Sequence, residues 1–353
     1  MLIGNLIPNC FDNKIIYFIP SGKLEQPQPE TVDKCSTEAR KAQITANMDR
    51  VCAQETKVSD LPNLDERQLR GLVQNILVDN DHKVLYCEVP KAGSTTLKFL
   101  LVKYSQIYKN AMLGDNRTDL MKSRKSVLGF NWAKFGIRSF NSYSKPEILS
   151  MLKYYTSVIG VRHPLARVHS VFKDKLHDRQ SDCNRTGFYT DMGLEIMRKT
   201  RGPVGDNKKY CVRDLTFSEF ATYSAQQSHE PLNDKHFKPF ISICNPCAIN
   251  YDHVFKLETG DSDQNKFVTE ILKEDMGQKS VHLNERGSTS ENKWEQNDYV
   301  EHIADYDGID KSVVEYLKSY YAKDMELFGY SVSEKQQQYA MNCRAQHNGK
   351  YCC

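Results

Sequence analysis

One pattern occurs twice in this chain: a short run of apolar, strand-forming residues is followed by a polar loop and then by an amphipathic stretch. The first copy begins with residues 84–89, and the second begins with residues 157–161. Continuous apolar runs of this length are typical of strands buried in parallel sheets. Strands that alternate with helices predict an α/β fold, with a central parallel sheet flanked by helices on both faces. Residues 253–257 predict a further strand, and residues 311–328 a terminal helix.

The loop of the first copy has the composition of an anion-binding site. Lys91 brings a point charge, Gly93 lets the backbone approach a ligand closely, and the hydroxyl groups that follow can cap a helix and donate hydrogen bonds. A helix N-terminus attracts anions through its N–H groups and its dipole. The candidate phosphate-binding residues are therefore Lys91, Ala92, Gly93, Ser94, Thr95 and Thr96. An ordinary capped turn is the alternative interpretation.

The position of the lysine bears on the class of nucleotide-binding protein. In kinases and ATPases the loop lysine follows a second glycine. Here Lys91 precedes the only glycine of the loop, Gly93. The loop therefore weakens the interpretation as a nucleotide kinase.

The second copy contains another pair of candidate phosphate-binding residues, which is here called the second phosphate grip. Arg162 stands at the end of the strand, and Ser170 follows on the predicted helix. A guanidinium fork and a hydroxyl can hold one phosphate between them. Basic residues recur between positions 162 and 179, and a solvated helix face is the alternative explanation for them. Two phosphate grips on neighbouring strands predict a ligand that is phosphorylated at both ends.

With these two segments, the chain resembles the Golgi carbohydrate sulfotransferases, the group that contains the chondroitin and dermatan 4-O-sulfotransferases and the HNK-1 sulfotransferase. The resemblance covers roughly residues 82–331. Further blocks similar to the family occur in the family's order at residues 143–148, 217–220, 233–239, 244–247, 251–252, 256–259 and 321–330.

The resemblance implies a fold, a co-substrate and an acceptor. The fold is the P-loop-like three-layer sulfotransferase fold, and the co-substrate is 3′-phosphoadenosine 5′-phosphosulfate, with no metal. The acceptor is a glycan such as chondroitin. The loop that begins at Lys91 then holds the 5′-phosphosulfate, while Arg162 and Ser170 hold the 3′-phosphate.

A catalytic lysine and a general base are also implied. Lys91 would stabilise the charge on the leaving phosphate. His236 is the first candidate for the base, because a neutral imidazole is suited to proton transfer near neutral pH. Asp234 and Glu258 are alternatives, and His236 can also be a structural histidine.

A late loop also resembles a family segment that closes over the nucleotide. Its candidate cofactor-binding residues are Arg286, Ser288 and Thr289. An exposed Gly-Ser turn is the alternative.

Composition suggests three parts: a flexible stem at residues 1–68, a sulfotransferase domain at residues 69–331 and a cysteine-containing tail at residues 332–353.

The net charge of +3 argues against a nucleic-acid partner. Two sequons, at Asn116 and Asn184, and eleven cysteines favour an oxidising, glycosylating compartment. By resemblance this is the Golgi lumen. Membrane association is expected only through an anchor that the sequence does not display, and no oligomeric state is predicted.

The cysteine pair at Cys244 and Cys247 allows three interpretations: half of a zinc site, a redox dithiol or structural disulfides. Structural disulfides that involve these two residues, Cys183 or Cys211 are favoured. The pairing does not follow from the sequence.

Three functions compete with the active sulfotransferase. One is an inactive protein that binds nucleotide or glycan, and another is a P-loop nucleotide kinase. The third is a secreted adhesion or structural protein whose basic cluster holds acidic glycans.

Overall fold

A computed structural model describes residues 44–48, 50–53, 55, 57–112, 132–177, 183, 186–203, 210–226, 230–275, 306 and 308–330 of the 353-residue chain. Within those ranges a five-stranded sheet forms the centre. The strands are β1 (Ile76–Asp79), β2 (Val84–Cys87), β3 (Ile137–Ser139), β4 (Thr156–Val161) and β5 (His253–Lys256).

The strands lie in the order β3-β1-β2-β4-β5. β2, β4 and β5 pair in parallel, as the two copies of the strand pattern and residues 253–257 predict. β1 pairs antiparallel with both β2 and β3, so the sheet is mainly parallel and not wholly so. The antiparallel pairing of β1 with β2 and β3 was not predicted from the sequence. β1 has only four residues, and one of them is a buried aspartate, Asp79.

The helices described are α1 (Glu66–Val73), α2 (Ser94–Tyr104), α3 (Gln106–Met112), α4 (Lys145–Tyr154), α5 (Pro164–Phe172), α6 (Phe188–Arg201), α7 (Phe217–Gln226), α8 (Phe240–Cys244), α9 (Gly260–Lys266), α10 (Lys311–Tyr320) and α11 (Ala322–Phe328). A π-helical turn, Lys173–His177, follows α5 directly. The helix predicted at residues 311–328 is present as two helices, α10 and α11, which are separated at Tyr321.

Alternate residues of β2 face different cores. Leu85 and Cys87 belong to one apolar cluster, together with residues of α1, α4, α8 and α11, whereas Val84 and Tyr86 belong to another, together with residues of α2. This period of two is that of a strand buried on both faces. The predicted α/β fold, with helices on both faces of the sheet, is confirmed.

A third cluster lies beyond the sheet. It is formed by apolar residues of α5, α6, α7 and α10, among them Leu165, Ile196, Phe220 and Leu317. Since α5 leads directly out of β4, this helical layer is placed next to the carboxyl end of the parallel strands.

Three disulfides cross the described structure: Cys52–Cys247, Cys87–Cys244 and Cys183–Cys211. The favoured prediction of structural disulfides is confirmed, and the pair at Cys244 and Cys247 is neither a zinc half-site nor one dithiol. Cys87 ends β2, so a covalent bond fixes this strand immediately before the loop that carries Lys91.

The stem predicted at residues 1–68 needs correction at its C-terminal end. Val51, Cys52 and Leu61 are buried in the first core cluster, and Cys52 is bonded to Cys247. The packed structure therefore begins before residue 69. Among the described residues, no helix is both long enough and apolar enough to cross a bilayer.

Candidate functional site

The first candidate loop joins β2 to α2. Lys91 and Gly93 both have a left-handed backbone, with φ of 66° and 78°. Gly93 is the N-cap of α2 and brings no side-chain acceptor, so the prediction that the loop hydroxyls cap the helix is wrong. Ser94, Thr95 and Thr96 instead form the first turn, where the N–H groups have no acceptor within the helix. A left-handed residue before a helix makes a concave nest of N–H groups that suits an anion.

The loop lies directly against β4. A Cβ atom added at Gly160 would come within 2.7 Å of the carbonyl oxygen of Ala92 and within 3.2 Å of Leu97. Only glycine fits at this position without moving the loop. Sequence reasoning gave Gly160 no role, although a glycine inside a strand often marks a close approach of another backbone.

Arg162 meets the same loop from the end of β4. Its side chain is buried, and its Nη1 donates to the carbonyl oxygen of Lys91 at 3.4 Å. The structure thus brings together the two predicted grips. Ser170 lies half-buried on the second turn of α5.

A buried carboxylate stands beside the loop lysine. Asp174, in the π-helical turn, is 4% exposed. Its Oδ2 lies 4.0 Å from Nζ of Lys91 and 3.8 Å from Nζ of Lys175. π-Turns of this kind often occur at functional sites. Sequence reasoning gave Asp174 no role; its place one turn after Ser170 is the signal that points to it.

The end of β5 adds another buried cation. Lys256, 6% exposed, is paired in register with Val161, and its Nζ lies 4.0 Å from the ring centroid of Tyr330. Glu258 accepts hydrogen bonds from the backbone N–H of His163 (2.6 Å) and from the hydroxyl of Tyr330 (3.0 Å). Glu258, an alternative candidate for the base, is therefore engaged in holding β4 and β5 to the C-terminal segment.

His236 lies in a cluster with Asp234 and Tyr189. Its Nδ1 is 2.9 Å from Oδ1 of Asp234 and 2.6 Å from the hydroxyl of Tyr189. The hydroxyl of Tyr189 also contacts Asp234 Oδ1, at 3.0 Å. Burial acts to raise the pKa of Asp234, but the hydrogen bonds from His236 and Tyr189 outweigh it and lower that pKa to about 2. Asp234 is therefore an anion at neutral pH, and the structure places two of the three candidate bases in one hydrogen-bonded group.

Arg167 connects α5 to this cluster. It is fully buried and donates to the backbone carbonyl oxygens of His236 (2.7 Å), Phe237 (3.0 Å) and Lys238. The hydroxyl of Tyr321 donates to the same carbonyl of Phe237 at 2.6 Å. The segment that carries His236 is thus held against the helix that follows Arg162.

The remaining sequence candidates lie elsewhere in the chain. Arg286, Ser288, Thr289 and the sequons at Asn116 and Asn184 are outside the described residues. In the part of the chain that is described, no group of three or more His, Cys, Asp or Glu side chains is arranged to hold a metal ion.

Comparison with known proteins places this geometry in context. The sequence model of the sulfotransferase family matches residues 74–331. Carbohydrate sulfotransferase 14 of Danio rerio is 30% identical over 217 residues, which are 60% of this chain and 52% of that protein. Carbohydrate sulfotransferase 11 of Rattus norvegicus is 30% identical over 196 residues, 55% of this chain and 51% of that protein.

A third relative is carbohydrate sulfotransferase 9 of Homo sapiens, 30% identical over 202 residues, 56% of this chain and 41% of that protein. The chain spans about half the length of the curated relatives it matches. No solved structure matches it.

Proposed function

Since this chain belongs to the sulfotransferase family, we propose that it transfers a sulfuryl group from 3′-phosphoadenosine 5′-phosphosulfate to a hydroxyl group of a sugar polymer. The observation that carries the proposal is the meeting of two basic grips at the carboxyl ends of neighbouring parallel strands. Lys91 follows β2 and Arg162 follows β4, and Arg162 donates to the carbonyl oxygen of Lys91 at 3.4 Å. A nucleotide that is phosphorylated at both ends uses both grips.

The residues around the loop fit a phosphosulfate group. The contact at Gly160 and the absence of a side-chain cap at Gly93 leave the N–H groups of the first turn of α2 directed at a ligand. Lys91 adds a point charge, and Ser94 and Thr95 add hydroxyl donors. Arg162 and Ser170 are proposed to hold the 3′-phosphate, and Arg286, Ser288 and Thr289 to contribute from the late loop.

The chemistry is proposed to be an in-line displacement. When bound, the donor supplies the sulfuryl group and keeps the bridging oxygen on its phosphate. The ammonium group of Lys91 stabilises the negative charge on that oxygen as its bond to sulfur breaks and the acceptor hydroxyl oxygen forms a new one. Positioning and charge stabilisation supply most of the rate in transfers of this kind.

His236 is proposed to take the proton from the acceptor hydroxyl. An ionised Asp234 can only accept a hydrogen bond, so the proton shared with it at 2.9 Å lies on Nδ1 of His236. The lone pair is then on Nε2, which receives the acceptor proton. Tyr189, at 2.6 Å from Nδ1, fixes the plane of the ring.

The acceptor and the compartment are also part of the proposal. The relatives are named carbohydrate sulfotransferases, which supports a glycan acceptor. We take this glycan to be chondroitin or a related glycosaminoglycan, as the resemblance of the sequence implies. The three disulfides support an oxidising compartment, which we take to be the Golgi lumen, with membrane association as in the family.

A transfer assay tests the proposal. The full chain is incubated with sulfur-35-labelled donor and a panel of chondroitin, dermatan and N-acetyllactosamine glycans, and the products are analysed by mass spectrometry. We expect label in a glycan and binding of adenosine 3′,5′-bisphosphate in calorimetry. Nucleotide binding without transfer to any glycan would indicate an inactive binding protein. Magnesium-dependent turnover of ATP, with tighter binding of ATP than of the bisphosphate, would indicate a kinase.

A further inference from the structure

One large aromatic side chain beside the His236 cluster is open to solvent. Phe188, the first residue of α6, is 61% exposed. Its ring lies edge to face with that of Tyr189, with centroids 5.1 Å apart and planes at 77°. The hydroxyl of Tyr189 is in turn 2.6 Å from Nδ1 of His236. Phe188 is thus separated from the candidate base by a single side chain.

A cation also lies near the ring of Tyr189. Nζ of Lys175 is 5.4 Å from the centroid of the Tyr189 ring and 3.8 Å from Oδ2 of Asp174, which also neighbours Lys91. The positive charge of Lys175 adds to the attraction that this part of the protein exerts on an anionic ligand. A continuous row of contacts leads from the loop lysine to the exposed ring.

The segment that carries Phe188 is held in place by a disulfide and by packing in the core. The Cys183–Cys211 disulfide ties down the chain a few residues before Phe188, and α6 packs against α7 in the third core cluster. Tyr189 is held through its hydroxyl by Asp234 as well as by His236. A ring that is held before a ligand arrives loses little conformational freedom on binding.

We propose that Phe188, Tyr189 and Lys175 form the acceptor subsite, which binds an anionic glycan. The apolar face of a pyranose ring packs on Phe188, and Lys175 pairs with the carboxylate of an adjacent acidic sugar. The sugar hydroxyl that reacts is then presented to His236. Sites that combine an aromatic surface with a few polar groups fix the orientation of a ligand in this way. This inference rests on the proposed function, since it assigns a glycan to the side of the site next to the base.

Binding measurements without turnover test the subsite. A fluorescently labelled chondroitin hexasaccharide is titrated into the full chain in the presence of adenosine 3′,5′-bisphosphate. We expect Phe188→Ala to weaken binding by about tenfold and Phe188→Trp to restore it, because the aromatic surface makes the contact. The matched control is Tyr154→Ala, since Tyr154 is 68% exposed and lies on α4, outside the site. It should leave binding of the hexasaccharide unchanged.

A second titration isolates the charge. The carboxyl-reduced hexasaccharide should bind the wild-type protein more weakly than the native one, whereas Lys175→Gln should bind both equally. Heat from the bisphosphate in calorimetry and the melting temperature should be the same in Phe188→Ala and wild type, which shows that the variant is folded.

The outcomes separate this inference from the proposed function. If Phe188→Ala binds the hexasaccharide as wild type does, or if Tyr154→Ala loses as much, the subsite is not at Phe188, even where sulfate transfer is observed. Absence of hexasaccharide binding by the wild-type protein has the same meaning. If Phe188 governs glycan binding but no sulfate is transferred to any acceptor, the glycan-binding site at Phe188 stands, whereas its role as an acceptor subsite and the proposed function both fail.

Discussion

The nucleotide side of the candidate site is made largely of backbone, whereas the side around His236 is made of side chains from separate segments. At the loop, Ala92 is buried and its carbonyl oxygen would be 2.7 Å from any Cβ atom at Gly160. At the other side, Tyr189 reaches His236 from a helix 47 residues earlier in the chain. The first side is held by packing, and the second is held by hydrogen bonds between side chains. Substitutions should therefore affect binding of the nucleotide and transfer of the proton separately.

The largest separation is expected from His236→Gln. Loss of the proposed general base should lower kcat by about 10²–10⁴-fold and leave the affinity for adenosine 3′,5′-bisphosphate unchanged. Steady-state kinetics and calorimetry measure the two quantities. His82→Gln is a matched control, because His82 is also paired with an aspartate, Asp79, at 2.5 Å, but near the opposite ends of the strands. A variant of His236 with wild-type turnover at saturating substrates would remove this residue from the mechanism.

Lys91→Ala tests the nucleotide side. We expect kcat/KM to fall by about 10²–10³-fold, because the charge on the leaving phosphate is no longer stabilised. Binding of the bisphosphate should also weaken, which His236→Gln does not cause. Lys311→Ala, an exposed lysine at the start of α10, should change neither quantity. If Lys91→Ala kept its activity, the charge of Lys91 would contribute neither to nucleotide binding nor to sulfuryl transfer.

Gly160→Ala changes the packing of the nucleotide side without removing any functional group. The added methyl group should displace the Ala92 carbonyl and weaken binding of the bisphosphate by about tenfold. Binding of a chondroitin hexasaccharide without nucleotide should not change. The control is Gly71→Ala in α1, where an added Cβ meets nothing within 4 Å. Equal affinity in Gly160→Ala and wild type would mean that the loop is not held by its packing against β4.

The smallest effect is expected from Asp234→Asn, measured as stability against pH. The pKa of Asp234 is about 2 in the folded protein and is thus below its ordinary value of 3.8. The ionised carboxylate therefore stabilises the fold at pH values above 3.8. The wild-type protein should be more stable than the variant by about 1–2 kcal/mol at pH 7 in urea denaturation. The difference should disappear as the pH falls from 3.8 towards 2. A difference that did not depend on pH would show that charge is not what orders the His236 cluster.

The nucleotide side could be predicted from the sequence because its parts are contiguous. A strand, a loop and a helix follow one another at residues 84–104, and the spacing of apolar residues is enough to recognise them. The predicted position of the helix cap was wrong. Hydroxyl side chains, such as those at residues 94–96, are common N-caps, whereas the structure has Gly93 at this position.

The side around His236 could not be predicted to the same extent. Its contacts depend on how α5, α6 and the segment at residues 234–238 pack together, and pairs so far apart in the chain leave no local pattern. Tyr189 was missed for this reason. The antiparallel β1 was missed because four residues are too few to show a period, although Asn80 and Asp81 between β1 and β2 are residues typical of turns.

Arg167 has a consequence for how proteins of this design can diversify. Its planar guanidinium group joins α5 to three successive carbonyl oxygens beside His236, and it is completely enclosed. Because these hydrogen bonds are buried, the position of the segment that carries His236 relative to α5 is set by the interior of the protein and not by its surface. On the roles proposed here for Phe188 and His236, replacement of the exposed ring at Phe188 would change the glycan that is bound without moving His236. Substrate choice and catalytic competence are then separable traits that selection can alter one at a time.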